Sequence, residues 1–168
     1  MKRPRIASIS ILIMLFCWTS SHAQQSIEGV WQVSRIDREY SLDSIASPLP
    51  SQIIFTKSHY SIVWMPGNKA MRAFDKRWEP TEEEKLRRYE EIVVNTGSYT
   101  IDGVQLKIEP VVSRVPEFMG GFIIYEYRWS AAKLVLTFID EETFDGVTAP
   151  WVEARGGREH LTLVRVTD

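Results

Sequence analysis

The segment Ser98-Tyr99-Thr100-Ile101-Asp102-Gly103-Val104-Gln105-Leu106-Lys107-Ile108-Glu109 decides the architecture. Val104, Leu106 and Ile108 alternate with Gln105, Lys107 and Glu109, so this strand has one dry face and one wet face. Residues 98–101 form a second β-rich run ahead of it. The intervening Asp102-Gly103 pair is the strongest short hairpin signal in the chain. A hairpin with a single dry face must bury that face against more sheet or a helix.

Similar units lie on both sides. Residues 30–35 read as a first strand with Trp31, Val33 and Arg35 on one face. Pro48 and Pro50 then exclude a central strand, because proline has no amide to donate. Residues 52–56 and 60–65 pair through the turn Lys57-Ser58-His59, and Pro66-Gly67 ends the pair. Residues 122–129 and 133–139 make a further hairpin around Ser130-Ala131-Ala132, and 159–166 is the last strand. One helix is predicted over 81–95. Thr81 with Glu84 forms a capping box, and Leu86, Tyr89, Ile92 and Val93 recur at helical spacing. Glu83 with Arg87 and Glu84 with Arg88 support its wet face, and Gly97 punctuates its end. About eight strands in antiparallel succession, with one amphipathic helix, predict an all-β, eight-stranded up-and-down barrel. A two-sheet sandwich is the alternative.

Length and composition fit one globular domain. The chain has 168 residues, 44% hydrophobic, 25% charged and 11% aromatic, with a net charge of −2 and no long basic run. That balance argues against nucleic-acid binding. Residues 1–23 read as a Sec-type signal peptide: Lys2, Arg3 and Arg5 precede an apolar run over 9–18, and Ser21 and Ala23 suit cleavage after Ala23. The run is shorter than the roughly 20 residues of a membrane span. Cys17 follows bulky Leu15 and Phe16, which disfavours lipid attachment there. Loss of three basic residues takes the charge of residues 24–168 from −2 to −5 and leaves no cysteine, with His59 and His160 the remaining histidines. The expectation is an exported, periplasmic or secreted monomer, with no stable membrane insertion after cleavage, stabilised by its core alone.

Gly29-Val30-Trp31 resembles the Gly-x-Trp signature of lipocalins, and Arg165 stands where those barrels place an arginine over that tryptophan. Pro48-Leu49-Pro50, Ile53-Ile54-Phe55-Thr56, His59-Tyr60-Ser61, Asn95-Thr96-Gly97-Ser98-Tyr99 and Glu109-Pro110 are similar, in order and spacing, to a bacterial exported lipocalin-like domain family. The resemblance covers nearly all of residues 24–168. It implies the lipocalin-like barrel and export, and suggests binding of a small ligand; the family has no established reaction. A cation–π contact between Trp31 and Arg165 would join the first strand to the last and close the cylinder.

Barrels of this size either fill with side chains or hold one small ligand. Ile123, Tyr125, Tyr127 and Trp129 share one strand face, Tyr60, Ile62 and Trp64 another, and Tyr99 with Ile101 a third. Such rings line a cavity with an apolar body while a polar tip orients a guest. Tyr60, Trp64, Tyr99, Tyr125, Tyr127 and Trp129 are therefore the candidate ligand contacts for a small, mostly apolar molecule. A helix lying across the mouth would add Leu86, Tyr89 and Val93 to the pocket. The alternatives are a filled scaffold that meets an envelope partner, and a barrel enzyme (an isomerase or hydrolase acting on an apolar substrate) with tyrosines as acid or oxyanion donors.

No catalytic residue, cofactor or metal is expected. His59 and His160 lack metal-ligand spacing and an identifiable acid partner, with His160 expected at the solvent. Asp140, Glu141, Glu142 and Asp145 read as a solvated loop, and Glu126 with Arg128 as an outward pair. Gly120-Gly121 and Gly156-Gly157 lead into no helix, and no Gly-x-Ser-x-Gly elbow is present.

Overall fold

The computed structural model describes residues 25–40, 44–46, 48–149 and 157–167. The leader expected over 1–23, the cleavage point expected after Ala23, and Cys17 lie outside the described residues. Eight strands run β1 (Gly29–Arg38), β2 (Ser51–Phe55), β3 (His59–Trp64), β4 (Val93–Asp102), β5 (Gln105–Ser113), β6 (Phe122–Ser130), β7 (Lys133–Glu142) and β8 (Glu159–Arg165). Each pairs antiparallel with its neighbour in sequence, and β8 pairs with β1, so the sheet is a closed up-and-down barrel. That last pairing excludes the sandwich, which would leave open edges.

The closed end is built by three residues. Trp31 is opposite Arg165 in the β1–β8 register, and the guanidinium carbon lies 4.3 Å from the centroid of the buried indole ring. Arg165 also donates to the carbonyls of Glu28 (2.5 Å) and Ser26 (2.8 Å), and Trp31 Nε1 donates to that of Ile27 (2.7 Å). Gly29 is required here: its φ is +133°, and a Cβ would collide with the Arg165 guanidinium. Below the stack Phe55, Ile53, Leu106, Ile108, Leu134, Leu136 and Leu163 fill the interior. Trp129 packs on Trp31 at 5.8 Å between centroids.

The short hairpins lie at this closed end and the long connections at the other. Asp102 pairs with Gln105, so the turn residues are Gly103 and Val104 rather than Asp102 and Gly103. Gly103 has φ +57° at the first turn position, as a tight hairpin of this hand requires. Val104 is consequently an exposed turn residue and not part of the dry face.

Three bulges shift the inward-facing parity in the half of the barrel away from the stack. In β1 the shift lies between Val33 and Arg35, so Ile36 turns inward and Arg35 faces out, correcting the face expected for Arg35. In β5 Thr96 pairs with Val112 but Gly97 with Pro110, which leaves Val111 as the extra residue. Pro110 has no amide for the ladder, and a Cβ at Gly97 would overlap the Glu109 carbonyl oxygen. In β7 Tyr125 pairs with Phe138 and Ile124 with Asp140, so Ile139 is extra and Glu141 faces in.

The helix differs most from expectation. α1 spans Glu82–Glu90, capped by Thr81, with Glu84 accepting from the backbone amides of Asp75 and Thr81, each at 2.9 Å. Those two donors, Asp75 first, hold the Glu84 carboxyl below the ordinary glutamate range. The helix stops at Glu90 because Val93 and Val94 pair with Trp64 and Val63 of β3; β-branched residues in a ladder outweigh the helical spacing. Gly97 is therefore mid-strand and not a helix end. The stripe is not buried, since Leu86 is 58% exposed. α1 is held instead by Tyr89, whose hydroxyl donates to the Arg114 carbonyl (2.8 Å) and whose ring lies 4.8 Å from the Arg114 guanidinium carbon.

Replacing Arg165 by Leu removes the stack and both backbone bonds, and is expected to lower stability by about 1–2 kcal/mol. Urea unfolding should show a lower midpoint at unchanged slope. Arg165→Lys should recover only part, because an ammonium cannot cover the ring and reach both carbonyls.

Candidate functional site: the mouth of the barrel

At the end opposite Arg165 the walls enclose a cavity of about 320 Å3. Its lining comes from the ends of β3 to β8 and from the segment after β5: Trp64, Val93, Asn95, Ser113, Phe118, Ile123, Tyr125, Phe138, Glu141 and Glu159 among others. Phe118 is on a 3-10 turn, Pro116–Phe118, folded over the rim and buried. Phe138 meets Tyr125 edge to face at 5.9 Å. The volume is at the lower end of the range for small-molecule sites, about 300–1,000 Å3.

Of the six candidate contacts, Trp64 and Tyr125 line this cavity. Tyr60 is on the same inward face of β3, four residues deeper than Trp64, and is 2% exposed. Tyr99, Tyr127 and Trp129 are at the closed end. Tyr99 donates to the Thr56 carbonyl (2.6 Å) and stands edge-on to Phe55 at 5.4 Å. Tyr99 and Tyr127 border one open groove beside the segment 25–28 (about 470 Å3), and Trp129 borders another (about 520 Å3). Both grooves follow that segment along the rim, whereas the mouth cavity opens into the barrel. Of the residues expected from a helix across the mouth, only Val93 lines the cavity, as a strand residue; Leu86 and Tyr89 do not.

Among the described residues, two buried side-chain polar atoms have no hydrogen-bond partner: Asn95 Oδ1 and the Tyr60 hydroxyl. Asn95, 7% exposed, has Ile62 of β3 on one side and Ser113 of β5 on the other. Ile62 offers only carbon, and the Ser113 hydroxyl accepts the Val115 amide at 3.2 Å. Tyr60 has Phe55 and Gly97 as register neighbours. Each such buried group costs about 1–3 kcal/mol relative to a paired one. Burial also raises the Tyr60 hydroxyl well above its ordinary pKa.

The reading of sequence alone passed over Asn95 because it assigned this residue to the helix; the run Ile92-Val93-Val94 was the signal for a strand. Glu141, taken as part of a solvated loop, is buried and faces inward beyond the β7 bulge. Glu126 stands on the outer face, 3.6 Å from Arg158. Among the described residues no group of three or more His, Cys, Asp or Glu is placed to hold a metal ion.

His160 does have an acid partner, contrary to the sequence reading. Its Nε2 is 3.1 Å from Glu39 Oε1, and its Nδ1 is 2.9 Å from Thr137 Oγ1. The Thr–His–Glu line has the composition of a nucleophile relay. Thr137 is only 6% exposed, however, and its position between β6 and β8 makes the line a tie joining β7, β8 and the turn after β1.

Tyr60→Phe deletes an unpartnered hydroxyl and is expected to leave stability unchanged or raise it by up to ~1 kcal/mol in urea unfolding. The folded state holds the Tyr60 proton above about pH 10, where the unfolded chain releases it. Stability is therefore full below pH 10 and falls as pH rises beyond it. Tyr99, raised by burial and then by Glu28, acts in the same direction. Tyr60→Phe should flatten the alkaline decline measured by unfolding from pH 9 to 12.

No model of a known protein family, no curated protein and no solved structure matches the chain, and the mouth is characterised by its own residues.

Proposed function

We propose that the protein binds or carries a small, mostly apolar molecule in the mouth of its barrel, in the cell envelope or outside the cell, as a lipocalin-like binding protein. The observation that carries this reading is the cavity of about 320 Å3 walled by Trp64, Val93, Phe118, Ile123, Tyr125 and Phe138. Aromatic and aliphatic walls on one part of the lining suit an apolar body, and the polar groups Asn95, Ser113, Arg114, Glu141 and Glu159 on the rest would fix its orientation. The resemblance of Gly29-Val30-Trp31 and Arg165 to the lipocalin pattern, and the leader-like residues 1–23, support the family and the exported location. Packing in the other half of the barrel favours one small guest held near the rim over a long one threaded through the cylinder.

The same packing gives the second reading its support. A barrel filled for half its length can be a scaffold, and Met119, Phe144 and Val147 expose apolar surface near the 3-10 turn for a partner to meet.

Titration with the neutral dye N-phenyl-1-naphthylamine separates the two readings. Enhanced dye fluorescence saturating at one site, with quenching of tryptophan emission, is expected. Val93→Trp, which fills the cavity from β4, should weaken binding by at least about tenfold while leaving the unfolding midpoint within about 1 kcal/mol. Absence of saturable binding, or binding indifferent to Val93→Trp, would favour the scaffold.

A further inference from the structure

We infer that the guest of the mouth cavity is a neutral molecule with a hydroxyl group on an apolar body, and that Asn95 is the residue that recognises the hydroxyl. This inference rests on the binding reading above and names the class of ligand. Asn95 is the cavity-lining residue whose amide is both buried and left with an unpartnered oxygen. Neither register neighbour supplies a donor to it: Ile62 has none, and the Ser113 hydroxyl, which accepts the Val115 amide, makes no bond to Asn95 Oδ1. A buried amide oxygen of this kind is satisfied by a guest that donates.

The head group follows from the rest of the lining. A side-chain amide can turn to present either its oxygen or its NH2, and a hydroxyl, being both donor and acceptor, fits both orientations. An ether or ester oxygen accepts only and leaves Asn95 Oδ1 unsatisfied. A carboxylate would have to sit beside Glu141 and Glu159, both of which line the same cavity. Arg114, a cation in the lining, is oriented by its bond to the Tyr89 carbonyl and its contact with the Tyr89 ring. An ammonium head is the competitor those carboxylates would attract; the Arg38–Glu159 pair at 2.8 Å weakens both that attraction and the repulsion of an anion, so both ions are included in the test. A neutral hydroxyl satisfies the buried amide without burying a further charge in the cavity.

The test is displacement of N-phenyl-1-naphthylamine by four probes of matched length: 1-octanol, its isomer heptyl methyl ether, octanoate and octylammonium. With the full-length wild-type chain, 1-octanol is expected to bind about tenfold or more tighter than the ether, because the ether leaves the amide oxygen unpaired, and tighter than either ion. In Asn95→Leu the alcohol and the ether should come within about twofold of each other, while Asn95→Asp, which keeps an acceptor, should retain the preference for the alcohol. Should Asn95→Leu fail to fold, the wild-type spectrum decides: the Asn95 side-chain amide resonances should move on addition of 1-octanol and not of the ether. Equal binding of alcohol and ether to the wild type, a preference that survives Asn95→Leu, or tightest binding of either ion overturns the inference. If the dye binds but no probe displaces it, the hydroxyl assignment falls and the binding reading stands. If the dye does not bind, both fall.

Discussion

The contact of Arg165 with Trp31 is what makes the sheet a cylinder with a definite bottom. A closed barrel needs its first and last strands to meet in a fixed register, and a one-residue slip would turn every side chain of β8 to the wrong face. The guanidinium fixes that register by lying over the indole while bonding two carbonyls of the segment just before β1. Gly29 is the condition for this arrangement, since any side chain there would occupy the guanidinium's place. The three residues together seal one end, so a cavity that opens into the barrel has to lie at the other.

The other end is shaped by departures from regular strand geometry. Alternation alone would carry Leu134, Leu136 and Phe138 on to Asp140; the extra residue Ile139 brings Glu141 inside instead. In β5 the extra Val111 follows Pro110, the one residue in that strand without an amide to give, and Gly97 opposite provides the room. Past this bulge Ser113 faces Asn95 across the cavity wall. Bulges bend strands and re-aim side chains, and here two of them set which polar groups the mouth presents.

This explains what the sequence could and could not reveal. Alternating residues such as Leu106 and Ile108, the Gly103 turn and the Trp31–Arg165 pairing mark the barrel because strand pattern and turn chemistry are local properties. The inward face of β6, from Ile123 to Trp129, is legible for the same reason. Arg35, Glu141 and Asn95 were misplaced because their environment depends on register with a neighbouring strand. Asn95 shows the conflict directly. Leu86, Tyr89, Ile92 and Val93 are spaced for a helix, yet pairing of Val93 and Val94 with β3 takes the second half of that pattern into the sheet. The capping box at Thr81 fixed where the helix starts and carried no information about where it stops.

Among the described residues, two buried polar groups depart from the pairing that a packed interior requires. Near the sealed end the polar tips of aromatic residues are bonded: Trp31 Nε1 to Ile27 and the Tyr99 hydroxyl to Thr56. These are the pairings expected of a packed interior, where an unmet donor or acceptor costs as much as a large side chain contributes. That rule is broken on two adjacent strands, at Tyr60, whose partner Phe55 pairs with Gly29 in the sealed half, and at Asn95, which lines the mouth. Leucine or phenylalanine at either position would bury without that cost, so the sequence retains a penalty that folding does not require. Natural chains concentrate such locally unfavourable choices at sites of function. The deeper of the two groups is enclosed by Phe55 and the close backbone at Gly97, while Asn95 borders open volume among Trp64, Ile123 and Tyr125. Of the two, the amide is the one whose residue borders open volume, so on the binding reading proposed above it is the polar group a guest would meet.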